Sequence, residues 1–173
     1  MSTVRFWWIG VGCLTAVVLF GSTFGQWIRF GPSAPDLLLI VLAWFSLDLR
    51  LSSALALGMA AALVKIAASG EPPLLVLVTL TGSAAFSHWA AGQFIKEVLS
   101  VQLGILAALC FTVYLTTLIW IHPFDSAAAG IAFFFSHVVL TTLYTVAVAP
   151  WIWRWVRRLL IRCGWESSTR SIS

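Results

Sequence analysis

SAPDLLLIVLAWFSL, residues 33–47, decides how this chain is read. A proline and a carboxylate stand directly before an unbroken apolar run from Leu37 to Leu47. A carboxylate at that place accepts hydrogen bonds from the unpaired N–H groups of a first helical turn and complements the helix dipole. Pro35 stops the helix from extending backward. Asp36 therefore reads first as a helix start, and second as a contact for a ligand or partner. The run itself is short, because a membrane crossing needs about 20 apolar residues. A re-entrant segment stays open for it. Continuing it to residue 68 as one straight helix would give about 48 Å, too long for a single crossing. A break near Asp48-Leu49-Arg50 is expected.

Composition agrees with a membrane setting. Of 173 residues, 61% are hydrophobic and 9% charged, against about 25% charged in soluble domains. The first apolar run has only Arg5 before it and no clear small-residue cleavage site after it, so it reads as a retained anchor. Cys13, Cys110 and Cys163 are odd in number and far apart. No CxxC or Cys/His spacing occurs, so neither a disulfide framework nor a zinc site is expected. The net charge of +4 is no nucleic-acid signal, since five of the ten basic residues fall in the last twenty positions.

Apolar segments at about 6–24, 36–49, 51–69, 73–95, 98–121 and 126–153 predict an all-α bundle of six transmembrane helices. The breaks RFGPSAPD, DLRLSS, SGEPP, IKEVLS and HPFDS carry Gly, Pro and charge. With both termini cytoplasmic, the inner side holds Arg5, Arg50, Lys96 and the tail arginines, as the positive-inside rule asks. Asp36, Glu71 and Asp125 lie outside. Asp125-Ser126 and Pro72-Pro73 read as further helix starts. The chain divides into a transmembrane domain, 1–153, and a basic amphipathic tail, 154–173. In the tail, Arg154, Arg157, Arg158 and Arg162 share an arc suited to anionic lipid, with a partner-docking surface as the alternative. Trp151, Trp153 and Trp155 suit the headgroup level, and Pro150 should kink the last segment.

Chemistry-bearing groups are sparse. Phe-Ser-His occurs at 86–88 and at 135–137, in segments that run the same way, so His88 and His137 could lie at similar depth. Both read as structural polar contacts, each bonded by its neighbouring serine, before a polar cavity or a proton relay. Lys65 is expected to snorkel outward, with pairing to Glu71 or Asp36 as the other reading. No GxxxxGK[ST], HExxH or GxSxG motif is present, and no acid pair is placed for acid–base work. Neither catalytic residues nor a cofactor or metal is expected. Small residues recur at four-residue spacing: Ala54-Gly58-Ala62, Ser83-Ser87-Ala91 and Gly21-Gly25. Such ladders let helix backbones approach closely, within the bundle or against another protein.

Pro35-Asp36 before a leucine-rich run, a small-residue segment with Gly58, the turn Ser69-Gly70-Glu71-Pro72, and an apolar last helix leading through Pro150 to an arginine-rich tail together resemble the bacterial rod shape-determining MreD family. The likeness covers the layout of most of the chain, and residues 35–73 and about 130–162 in detail. It departs at Lys65-Ile66-Ala67-Ala68, where many members carry an acid just before the turn. The resemblance implies a non-catalytic inner-membrane scaffold of the wall-elongation complex. Its partners would be an MreC-like single-span protein and, indirectly, MreB, a RodA-type glycosyltransferase and a class B penicillin-binding protein. The candidate partner faces are the lip at Pro35-Asp36 and the ladders Ala54-Gly58-Ala62 and Ser83-Ser87-Ala91. The family's six-helix fold also resembles the substrate-binding subunits of energy-coupling-factor vitamin transporters. A small-molecule uptake subunit is therefore the alternative function, and an integral membrane enzyme a third.

Overall fold

The computed structural model describes residues 3–24, 35–94, 98–121 and 134–162. Among them every element is helical: α1 Thr3–Phe24, α2 Leu37–Asp48, α3 Leu51–Ala68, α4 Pro73–Gln93, α5 Leu99–Ile121, and α6 Leu140–Arg162 preceded by a π-helical turn, Phe134–Val139. Leu51–Ala68, Pro73–Gln93 and Leu99–Trp120 are long and apolar enough to cross a membrane, while Trp8–Phe20 and Leu37–Asp48 are shorter apolar stretches. Gly25, Asp125, Ser126 and Cys163 lie outside the described residues.

The organising element is α2. Its 12 residues reach about 18 Å at 1.5 Å each, well short of a bilayer core of about 30 Å. A helix apolar all round has no face to give to water and must be buried. Leu38 through Leu47 are indeed buried, Trp44 alone being half-exposed. Helices α1, α3, α4, α5 and α6 all pack against α2, and α1–α3, α3–α4, α4–α5 and α5–α6 also touch. Leu39, Ile40, Val41, Leu42 and Phe45 form the centre, with Leu57, Val76, Leu80, Leu106 and Ala149 around them.

The expected break falls where the charges stand. Leu49 and Arg50 are extended, with ψ near 155° and 153°. The Leu49 carbonyl is met by His88 Nδ1 at 2.8 Å. A carbonyl only accepts, so Nδ1 carries the proton. His88 is thus a structural contact, but its partner is the end of α2 and not Ser87. The Ser87 hydroxyl is buried without a hydrogen-bond partner.

The two Phe-Ser-His phrases occupy different surroundings. The first lies in regular α4 and the second in the π-helical turn. His88 meets the far end of α2, whereas His137 lies about 12 Å upstream of Thr145, which touches the start of α2. They are not at one depth, which a three-residue match does not reveal.

Within a lipid solvent, apolar burial is no driving force, and helices are held by close packing and a few hydrogen bonds. The α3–α4 contact illustrates the first. A Cβ on Gly58 would stand 2.9 Å from Ala84 Cβ, 3.0 Å from Thr81 Cα and 3.1 Å from the Leu80 carbonyl oxygen. The α2–α6 contact illustrates the second. Trp153 Nε1 donates to the Ile40 carbonyl at 3.1 Å. Trp153 is only 5% exposed, against 73% for Trp151 and 65% for Trp155. It belongs to the core and not to the headgroup belt. The helical period explains the difference: Thr145, Ala149, Trp153 and Val156 share the inward stripe of α6 and are all buried. Pro150 lies inside α6, which continues to Arg162.

Candidate functional site

The start of α2 builds the site. Asp36 caps the helix as its sequence suggests, Oδ1 accepting from Leu39 N–H at 3.0 Å. Its own backbone N–H donates to Thr145 Oγ1 at 3.1 Å. The phenol of Tyr114 on α5 interacts with both Thr145 and Asp36. Through its carboxylate and its backbone N–H together, Asp36 therefore ties the first turn of α2 to α5 and α6. Asp36→Ala should destabilise the protein by about 0.5–2 kcal/mol, and Asp36→Asn by much less, because Asn caps nearly as well. Thermal unfolding in detergent checks the order of the two.

The end of α3 comes to the same place. The Ser69 N–H donates to the Lys65 carbonyl at 2.8 Å and closes the helix. Lys65 Nζ lies 3.1 Å from Glu71 Oε2. Pairing with Glu71, the second reading of Lys65, is therefore formed. Both groups are partly exposed, so the pair adds little stability. Over the α2 start lies an open cleft of about 310 Å³, lined by Val17 and Val18 of α1, Pro35 to Leu38, Lys65, Ala68 and Ser69, and Tyr114. Val18 and Tyr114 stand six and seven residues before the ends of α1 and α5. The cleft is thus recessed by about 10 Å below those helix ends. The walls are apolar and the polar groups few, the usual make-up of a small-molecule pocket.

The remaining candidate residues are dispersed. Ala54, Gly58 and Ala62 are buried, and Gly58 rests on α4. Ser83 and Ser87 are buried and Ala91 is packed against the core. Ser83 Oγ donates to the Thr79 carbonyl at 2.6 Å. Both ladders thus touch this chain's own helices. Arg154, Arg157, Arg158 and Arg162 are exposed along the last turns of α6. Cys13 and Cys110 form no disulfide. Among the described residues, no three His, Cys, Asp or Glu side chains gather as a metal site.

Sequence reasoning missed Tyr114 and Thr145, which stand far along the chain from Asp36. It also missed a stripe on α5: Gly104, Ala108, Thr112 and Thr116 recur every four residues and are all exposed. A Cβ on Gly104 would meet nothing within 4 Å. The signal was the same small-residue spacing found elsewhere. No protein-family model, curated protein or solved structure matches the chain.

Proposed function

We propose that this chain is a multi-pass inner-membrane scaffold subunit of the bacterial wall-elongation complex. It would hold an MreC-like single-span partner and, through it, MreB, a RodA-type glycosyltransferase and a class B penicillin-binding protein. One observation carries this reading. The separate stretches on which the MreD resemblance rests meet in space: Pro35-Asp36 and Ser69 line one cleft, and α6 reaches Asp36 through Thr145. Stretches far apart in sequence that converge in the fold support a common architecture over a coincidence of composition.

A scaffold needs a face for its partner. The ladders on α3 and α4 are engaged within the chain, whereas the α5 stripe points outward. Its two hydroxyls are already satisfied, Thr112 by the Ala108 carbonyl and Thr116 by the Thr112 carbonyl, each at 2.8 Å. A helix could lie close along it without stranding a polar group. Gly104→Leu and Ala108→Leu should leave membrane levels unchanged and reduce co-purification of an MreC-like partner about tenfold or more. Full retention of the partner would remove α5 from consideration.

Orientation is tested separately. With both termini cytoplasmic, a reporter fused after Ser173 should read inside and one inserted at Gly70 outside. A periplasmic reading at Ser173 would overturn the six-span arrangement. The cleft favours the second reading, a substrate-binding subunit of a vitamin-type transporter. Co-purification of an ATPase pair instead of an MreC-like protein would select it.

A further inference from the structure

The recessed cleft carries a charge balance of its own. Lys65 is engaged by Glu71 at 3.1 Å, so that pair is neutral as a unit. Among the described residues of the lining, Asp36 is left as the charge without an ionic partner. Its carboxylate accepts from Leu39 N–H through Oδ1 and meets the Tyr114 phenol, both neutral groups that leave its charge uncompensated. Tyr114 lines the cleft beside it, its phenol directed to Asp36 and Thr145. Val17, Val18, Leu37, Leu38 and Ala68 make the rest of the wall apolar.

A carboxylate and a tyrosine in an apolar recess suit a cation that carries carbon: the charge meets the carboxylate, and the ring adds cation–π attraction. An anion would meet Asp36 and find Lys65 already occupied. The volume, about 310 Å³, is at the small end of ligand pockets. Ionisable groups placed below the helix ends of a membrane bundle are costly and mark function by default.

We propose that this cleft binds an ammonium group on a short apolar body, with Asp36 as its counter-ion and Tyr114 as its second contact. The ammonium comes either from a free organic amine or from the headgroup of an aminophospholipid. The site is argued from its own residues and stands apart from the scaffold reading.

The test uses the purified full chain in mild detergent. Three probes are titrated while thermal unfolding is followed: hexylammonium chloride, dihexanoyl-phosphatidylethanolamine and, as the anionic control, dihexanoyl-phosphatidylglycerol. An amine probe should raise the unfolding midpoint by several degrees at saturating concentration. Asp36→Asn keeps the cap and removes the charge, and should weaken the response about tenfold or more. Val18→Phe fills the cleft without touching the cap and should block it. Response to both amines identifies the amine itself as sufficient, and response to the lipid alone identifies the headgroup. Either outcome upholds the site. No response to either amine, an equal response to phosphatidylglycerol, or unchanged affinity in both variants would overturn it.

Discussion

Gly58→Leu should leave almost no folded protein in the membrane. The Cβ alone would approach Ala84 Cβ to 2.9 Å, Thr81 Cα to 3.0 Å and the Leu80 oxygen to 3.1 Å. Two of those three atoms belong to the α4 backbone, so no side chain can swing aside to make room. The helices would have to part along α3–α4, a contact the chain makes extensively. Overpacking costs about 1–3 kcal/mol when neighbours can adjust, and a leucine against rigid backbone exceeds that. Gly58→Ala is the graded version, with the gain in helix propensity of about 1 kcal/mol offsetting part of the clash. Membrane levels and detergent monodispersity should fall in the order Gly, Ala, Leu. Full accumulation of the leucine variant would mean that α3 and α4 do not pack this closely.

Trp153→Ala should be about as damaging, by the opposite route. It empties the space of an indole in the core and leaves the Ile40 carbonyl without its added donor. Loss of a buried tryptophan costs about 3–5 kcal/mol. Trp153→Phe keeps most of the volume and isolates the hydrogen bond, worth about 0.5–1.5 kcal/mol. Trp151→Ala and Trp155→Ala serve as controls, since both side chains are exposed on the same helix. Unfolding in detergent should rank Trp153→Ala far below Trp153→Phe, with the controls close to the parent. Equal effects of all three alanine variants would place Trp153 outside the core.

These two residues show where a sequence is readable. Gly58 was legible as close-packing hardware because glycine between two alanines at four-residue spacing has few other uses in a membrane helix. Its neighbour was not, since spacing names a face and not what lies on it. Trp153 was misread by being grouped with Trp151 and Trp155, because the residue type suits both interface and core. Only the phase of α6 separates Trp153 from Trp151 and Trp155. Asp36 as a cap is local chemistry, settled within four residues, and so was visible. Its ties to Tyr114 and Thr145 depend on how distant helices stack, which no local pattern encodes. The break at Asp48 to Arg50 followed from length and charge, while its closure by His88 depended on tertiary placement. Lys65 was open between two readings because both fit a lysine near a helix end.

The burial of α2 also sets a schedule for making the protein. Its Ile40 carbonyl waits for an indole 113 residues further on. At about 5–20 residues per second of synthesis that interval is roughly 6 to 23 seconds. Throughout it, a helix too short to cross the membrane has no final neighbour on its α6 side. Lipid, the insertion machinery or a passing protein must stand in for the missing wall. Helix α6 emerges after the other described helices and closes the structure around α2, so quality control can sample the chain while its centre is still open.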